Sequence, residues 1–180
     1  EDMQDEADEA EDDCECTETA LQVLEQVVMP ARESEDWDTM EKKILVLKHN
    51  ISQCLVLSQC AQCAQESGFS MLVLVIYERL TTAFEAVARW WSHRGDEPGG
   101  EQKMPPRIGQ HSFAMGRYNI DSFEEHRVVF KAIVLLQMQR LSRLSVIRLE
   151  ASRMSKWRAH EEQAEALLSR IKRIQHEWML

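Results

Sequence analysis

The segment DSFEEHRVVFKAIVLLQMQRLSRL, Asp121 to Leu144, decides the fold class. Asp121-Ser-Phe-Glu124 has the form of a capping box, in which a side-chain acceptor and a Glu three residues on satisfy orphan N–H groups. Val128 to Leu136 is apolar on nearly every side apart from Lys131, the pattern of a helix in the middle of a bundle. Leu141 and Leu144 continue its stripe. No Gly or Pro occurs from Asp121 to the last residue, yet one helix from Ser122 to Trp178 would be about 85 Å long against about 30 Å for a small domain. A break is therefore expected around Ser152 to Lys156. The last helix then carries Trp157, Ala164, Leu167, Leu168, Ile171, Ile174 and Trp178 on its apolar side.

Before this segment, GDEPGGEQKMPPRIG collects four of the six Gly and three of the four Pro, so residues 95–109 read as a flexible loop between two helical halves. Further back, Ser70 to His93 predicts a helix whose broad apolar side holds Leu72, Ile76, Leu80, Ala83, Val87, Trp90 and Trp91. Another helix is expected to start at the box Asp38-Thr-Met-Glu41. Met40, Ile44, Leu47, Ile51 and Cys54 form its stripe at spacings of four and three, and Gly68 ends it. A short helix from Thr17 to Met29, with Leu21, Leu24 and Val28 on one side, stops at Pro30. Strand signals are almost absent. The expectation is an all-α bundle of about five helices, occupying residues 17–180 as one domain.

Charge is concentrated at one end. Residues 1–41 hold 17 acidic side chains against Arg32 alone, whereas the rest of the chain is mildly basic, so the net charge of −10 belongs to the leader. Residues 1–16 are expected to form a flexible acidic segment with little to bury, a solvated linker lacking the interleaved aromatics of an acidic activator. The sequence starts at Glu1 with no basic, apolar leader after it, and reads as a piece of a longer chain. No run approaches the ~18 apolar residues a membrane span needs, and no membrane partner is expected.

Three of the five cysteines fall in CLVLSQCAQCAQESG, Cys54 to Gly68. If this stretch is helical throughout, Val56, Cys60 and Cys63 lie on a second apolar face about 160° to 220° from Leu47, and the thiols act as small hydrophobes. A zinc site needs about four ligands. Cys54 points away from the C-x-x-C, and His49, His93 or His111 would have to complete the set; Cys14-x-Cys16 lies in the acidic leader and alone defines no site. Redox chemistry is disfavoured, because thiols near a helix C-terminus have their pKa raised. No metal, cofactor or catalytic residue is therefore expected, and packing is the expected role of the C-x-x-C.

Other chemistry is missing too. No phosphate loop, G-x-S-x-G, H-E-x-x-H or calcium loop occurs, so no enzyme is read here. His126, His160 and His176 are expected at the surface. Arg140, Arg143, Arg148, Arg153, Lys156 and Arg158 mostly share the polar arc of their helix, which reads as a solvated face with no direct nucleic-acid contact.

Two motifs together resemble a known family. The combination of CLVLSQCAQCAQESGFSMLVLVIYERLTTAFEAV with, after the loop, FAMGRYNIDSFEEHRVVFKAIVLLQMQRLSRL is similar to the C-terminal region of the aflatoxin regulatory protein family of fungal transcription factors. Its G-x-Y-x-[IL]-D-x-x-E-E pattern corresponds to Gly116, Tyr118, Ile120, Asp121, Glu124 and Glu125. Cys16 to Val27 is similar to the family's first helix, so the resemblance spans roughly residues 14–154. It implies a regulatory domain controlling secondary-metabolite genes in the nucleus. It also implies zinc only in a separate N-terminal binuclear-cluster module for DNA binding, which this sequence lacks. Gly116, Tyr118, Asp121 and Glu124 then have structural work: turning the chain, docking an aromatic, and capping. The expected partner is a protein coactivator, a second copy of the chain, or both, met by a surface including Trp90, Trp91, Trp157 or Trp178. A small-molecule ligand held between helices is the alternative.

Overall fold

The computed structural model describes residues 14–27, 36–95, 114–115, 118–119 and 122–179. They form an all-α bundle. Six helices are seen among them: α1 (Cys16–Gln26), α2 (Trp37–Leu57), a single turn α3 (Ala61–Ala64), α4 (Ser67–Gly95), α5 (Phe123–Met154) and α6 (Arg158–Met179). A two-residue antiparallel pair, β1 (Ala114–Met115) and β2 (Tyr118–Asn119), precedes α5. The proposed loop beyond Gly95 and the leader before Cys14 lie outside the described residues, as do Gly116 and Asp121.

The caps explain where the helices begin. Asp36, in extended conformation, accepts the Thr39 N–H at 2.9 Å and so starts α2 two residues before the Asp38 position expected from the sequence. That shift makes Trp37 the first helical residue and turns it inward. Ser122 caps α5 by accepting the Glu125 N–H at 3.1 Å, one residue along from the anticipated box, and Glu124 stays exposed in the first turn. The α5–α6 corner falls within the expected break. There the Trp157 N–H reaches Ser152 O at 2.9 Å and the Lys156 N–H reaches Arg153 O at 3.1 Å, with Lys156 at φ 58°. This is a Schellman closure with lysine in the left-handed position that glycine usually fills.

Ring contacts set the helix directions. Trp37 at the start of α2 meets His126 and Phe130 at the start of α5, and Trp90, Trp91 and Trp178 bring the ends of α4 and α6 to the same place. So α2 and α5 run one way while α4 and α6 return. The interior is filled by the stripes anticipated for α2 (Met40, Ile44, Leu47, Ile51, Cys54) and α6 (Ala164, Leu167, Leu168, Ile171, Ile174, Trp178), packed against Val73, Ile76, Leu80, Phe84 and Val87 of α4 and Phe130, Val134, Met138, Leu141 and Leu144 of α5. Arg170 of α6 pairs with both carboxylate oxygens of Glu85 on α4, at 3.2 and 3.0 Å.

Several expectations are corrected by this packing. α5 is not enclosed: Val128 is 68% and Leu136 47% exposed, because α2, α4 and α6 all lie on its other side. In α1 the buried residues are Ala20 and Val23, followed by Val27 at its C-cap, with Leu21 turned outward. Gly68 does not stop a helix; it sits in the first turn of α4 with open space where a Cβ would be. His160 is buried, and its Nε2 lies 3.0 Å from the Ser67 carbonyl, tying the start of α6 to the start of α4. His126 is half-buried, and its Nε2 shares a hydrogen bond with the Glu41 carboxylate of α2. Arg148 leaves the polar arc and is buried beside Tyr77, where it acts on the phenol oxygen; Asn50 and Ser70 are also buried, with side-chain polar atoms that no described residue hydrogen-bonds.

Candidate metal centre

The C-x-x-C is not on α2. That helix ends at Leu57, where the Ser58 N–H and hydroxyl turn back to Cys54 O and Leu55 O, and the chain then extends at Cys60 before coiling again as α3. Cys60 is the N-cap of α3 and Cys63 its third residue. The i, i+3 spacing across an extended-to-helical junction turns both thiols to one side. With Val56 61% and Leu45 58% exposed, the second apolar face inferred for α2 does not exist.

The start of α1 comes to the same corner. Cys14 lies just before it and Cys16 is its first residue, so the C-x-C faces the C-x-x-C across roughly fifty positions of sequence. The Sγ atoms of Cys14, Cys16, Cys60 and Cys63 all lie within 4.8 Å of one another, and those of Cys14 and Cys63 are 2.9 Å apart. All four are free thiols, Cys63 buried and the others half-buried. Cys54 takes no part: it faces the main core, where burial pushes its pKa up to about 12.

The four thiols are not equivalent. Cys60 accepts the Cys63 backbone N–H, and this, with the neighbouring thiols, holds its pKa down at about 7. Burial, reinforced by the other thiols, pushes Cys16 up to about 11 and Cys63 well above the ordinary thiol range. A thiolate forms most readily at Cys60, and Cys16 and Cys63 resist ionising next to it. Such a donor set suits a cation. Four thiolates around zinc at about 2.3 Å stand about 3.8 Å apart in a tetrahedron, a separation inside the 4.8 Å that encloses all four Sγ atoms here.

The remaining site residues fall elsewhere. Trp90 and Trp178 are buried, at 1% and 4% exposure, and only Trp91 and Trp157 reach the surface in part. Trp91 stacks on Phe130 and Trp178, with the Arg127 guanidinium 5.0 Å from its ring centre, while Trp157 packs on His160 at the opposite end of the bundle. Tyr118 belongs to β2 by its backbone. An open groove of about 700 Å³ runs beside Trp91 and Trp178, bordered by Arg89, Lys131, Arg173 and Glu177. No helix of the described residues is long and apolar enough to cross a membrane.

The four-thiol corner was missed because no Gly or Pro marks the end of α2, so the sequence from Cys54 to Glu66 reads as unbroken helix. The available signal was the pairing of a C-x-C with a distant C-x-x-C, four cysteines in two short clusters. Fold and corner together define the class: an all-α bundle with a candidate four-cysteine centre. No protein-family model, curated protein or solved structure matches the chain.

Proposed function

We propose that the chain is a regulatory or effector domain acting through protein–protein contacts, of the kind found C-terminally in fungal pathway-specific transcription factors controlling secondary metabolism. It is not an enzyme, and it works in the nucleus beside a separate DNA-binding module. The observation that carries the protein-contact reading is the outer face of α5. Val128, Leu136, Val146, Ile147 and Met154 are all exposed, and at 100° per residue they fall within about a 100° arc along a 32-residue helix. Exposed apolar residues gathered on one helix face mark an interaction surface more than scattered ones do. Motif resemblance supplies the transcriptional context: Glu124 and Glu125 stand in the first turn of α5, the helix that presents this face.

The reading is tested by fusing the chain to an unrelated DNA-binding domain and measuring a reporter gene. Wild type should change transcription, up for an activator or down for a repressor, and V128K/L136K/I147K should abolish the change with helicity retained. A wild-type fusion without effect, or a triple variant as active as wild type, sinks it.

The small-molecule alternative draws on the groove beside Trp91 and Trp178, where aromatic faces with Arg89 and Lys131 suit an aromatic anion, although Glu177 and the Glu85 paired with Arg173 also line it. Thermal shift with aromatic carboxylates, compared between wild type and K131A, separates it from the first reading.

A further inference from the structure

We infer that Cys14, Cys16, Cys60 and Cys63 bind a single zinc ion in a closed tetrahedral site that clamps the start of α1 to the α2–α3 corner. Three independent features converge on this. The four sulfur atoms meet within 4.8 Å although they come from two segments separated by the whole of α1 and α2. Each pair is held by a helix start, Cys16 opening α1 and Cys60 capping α3, so their directions are fixed by backbone and do not depend on long flexible side chains. Among the described residues, no lysine, arginine or histidine forms an ion pair or hydrogen bond with the four thiols, and a bound cation would supply the counter-charge for four thiolates. All-sulfur, tetrahedral coordination selects zinc over hard cations such as magnesium or calcium.

The site is structural in kind. Four protein ligands leave no open position for water or substrate, so no hydrolytic step is assigned to it. Its effect falls on α1. That helix has only 11 residues, no side-chain cap hydrogen bond at its start, and a buried face of Ala20 and Val23 continued by Val27 just beyond its end. A helix so short is marginal by itself. Closing Cys14 and Cys16 onto Cys60 and Cys63 holds α1 against α2 and α4 at its first turn, ahead of the buried Ala20 and Val23. Metal binding and docking of α1 are thus a single equilibrium, as in other metal-stapled small elements. This inference is independent of the regulatory reading and stands or falls without it.

The test uses the whole chain purified under reducing conditions. Elemental analysis should find zinc at one ion per chain, and Cys16→Ser and Cys63→Ser should each lower it to background while Cys54→Ser, outside the cluster, keeps it. Should a ligand variant fail to fold, cobalt(II) added to the chelator-stripped wild type provides a second measure. A tetrahedral thiolate site gives intense visible bands and sulfur-to-metal charge transfer, abolished by adding zinc. Hydrogen exchange then locates the effect: stripping the metal should speed exchange of amides 20–26 and leave those of α5 unchanged. Wild type without zinc, with only the weak spectrum of octahedral cobalt, overturns the proposal. So does a mass showing the four cysteines joined as disulfides in protein purified without reductant and equally stable to chelator, or unchanged exchange of α1 on stripping.

Discussion

Replacing Trp37 with Ala should cost a large part of the stability at the aromatic end of the bundle. Trp37 is 8% exposed, and its ring meets four others edge-on: Trp90 at 5.0 Å, Phe130 at 5.4 Å, His126 at 5.7 Å and Trp91 at 5.9 Å. Burying an aromatic of this size removes about 200 Å² from water, worth about 5 kcal/mol at 25 cal/mol per Å², of which the Ala methyl retains about 1. The edge contacts add some tenths to about 1 kcal/mol each, and partial collapse of the cavity recovers a comparable amount. A loss of about 4 kcal/mol results. With a urea slope of about 2 kcal/mol per molar for a chain of this size, the midpoint should fall by about 2 M. Far-UV ellipticity is the right probe, since the substitution removes one of five tryptophans from the fluorescence. Leu45→Ala, at an exposed position of the same helix, should stay within about 0.5 kcal/mol. A Trp37→Ala shift below about 0.5 M, corresponding to about 1 kcal/mol, would refute the reasoning that this ring joins α2, α4 and α5.

Three further outcomes follow from other parts of the molecule. Lys156→Gly should raise stability by about 1 kcal/mol, a gain of about 2 to 4 °C in melting temperature, by relieving a left-handed backbone at φ 58°; a lower melting temperature would show that the lysine side chain matters more than its backbone. Tyr77→Phe should leave stability unchanged or raise it by up to about 1 kcal/mol, because the hydroxyl is buried beside Arg148 with no well-formed hydrogen bond to any described residue, and burial drives its pKa upward. A clear loss in urea titration would mean that Arg148 holds that oxygen in solution. Maleimide labelling of native, chelator-treated protein at pH 8 should spare Cys54, whose pKa of about 12 keeps it neutral and whose side chain is buried, while reaching Cys60, largely ionised above its pKa of about 7. Equal labelling of the two by peptide mass mapping would contradict the placement of both.

Much of the fold was legible because periodicity survives burial. The α2 and α6 stripes were readable as i, i+3, i+4 spacings, and every predicted α2 stripe position is interior. The α5–α6 corner was placed by length alone, since a helix cannot outrun its own domain. Helix starts were less clear where two acceptors stood close together: Asp36 and Asp38, or Asp121 and Ser122, are both chemically able to cap, and the choice is made by which neighbouring ring or stripe must turn inward. Trp37 went unremarked for that reason. The four-cysteine corner was illegible from local pattern, because the end of α2 at Leu57 carries no breaker residue and the partners lie at the far end of α1. Such a meeting belongs to tertiary structure.

The aromatic cluster also divides the molecule optically. Trp37, Trp90, Trp91 and Trp178 sit at the start of α2, whereas Cys60 follows its end; 21 residues at about 1.5 Å each put roughly 30 Å between them. Trp157 alone lies toward the thiol end, beside the His160 that touches Ser67. Near-ultraviolet dichroism from coupled indoles therefore reports on one pole, and thiolate absorbance with quenching of a lone indole reports on the other. Fraying at either pole can be timed separately in one unlabelled sample, which makes the order in which the two ends of the bundle come apart a measurable quantity.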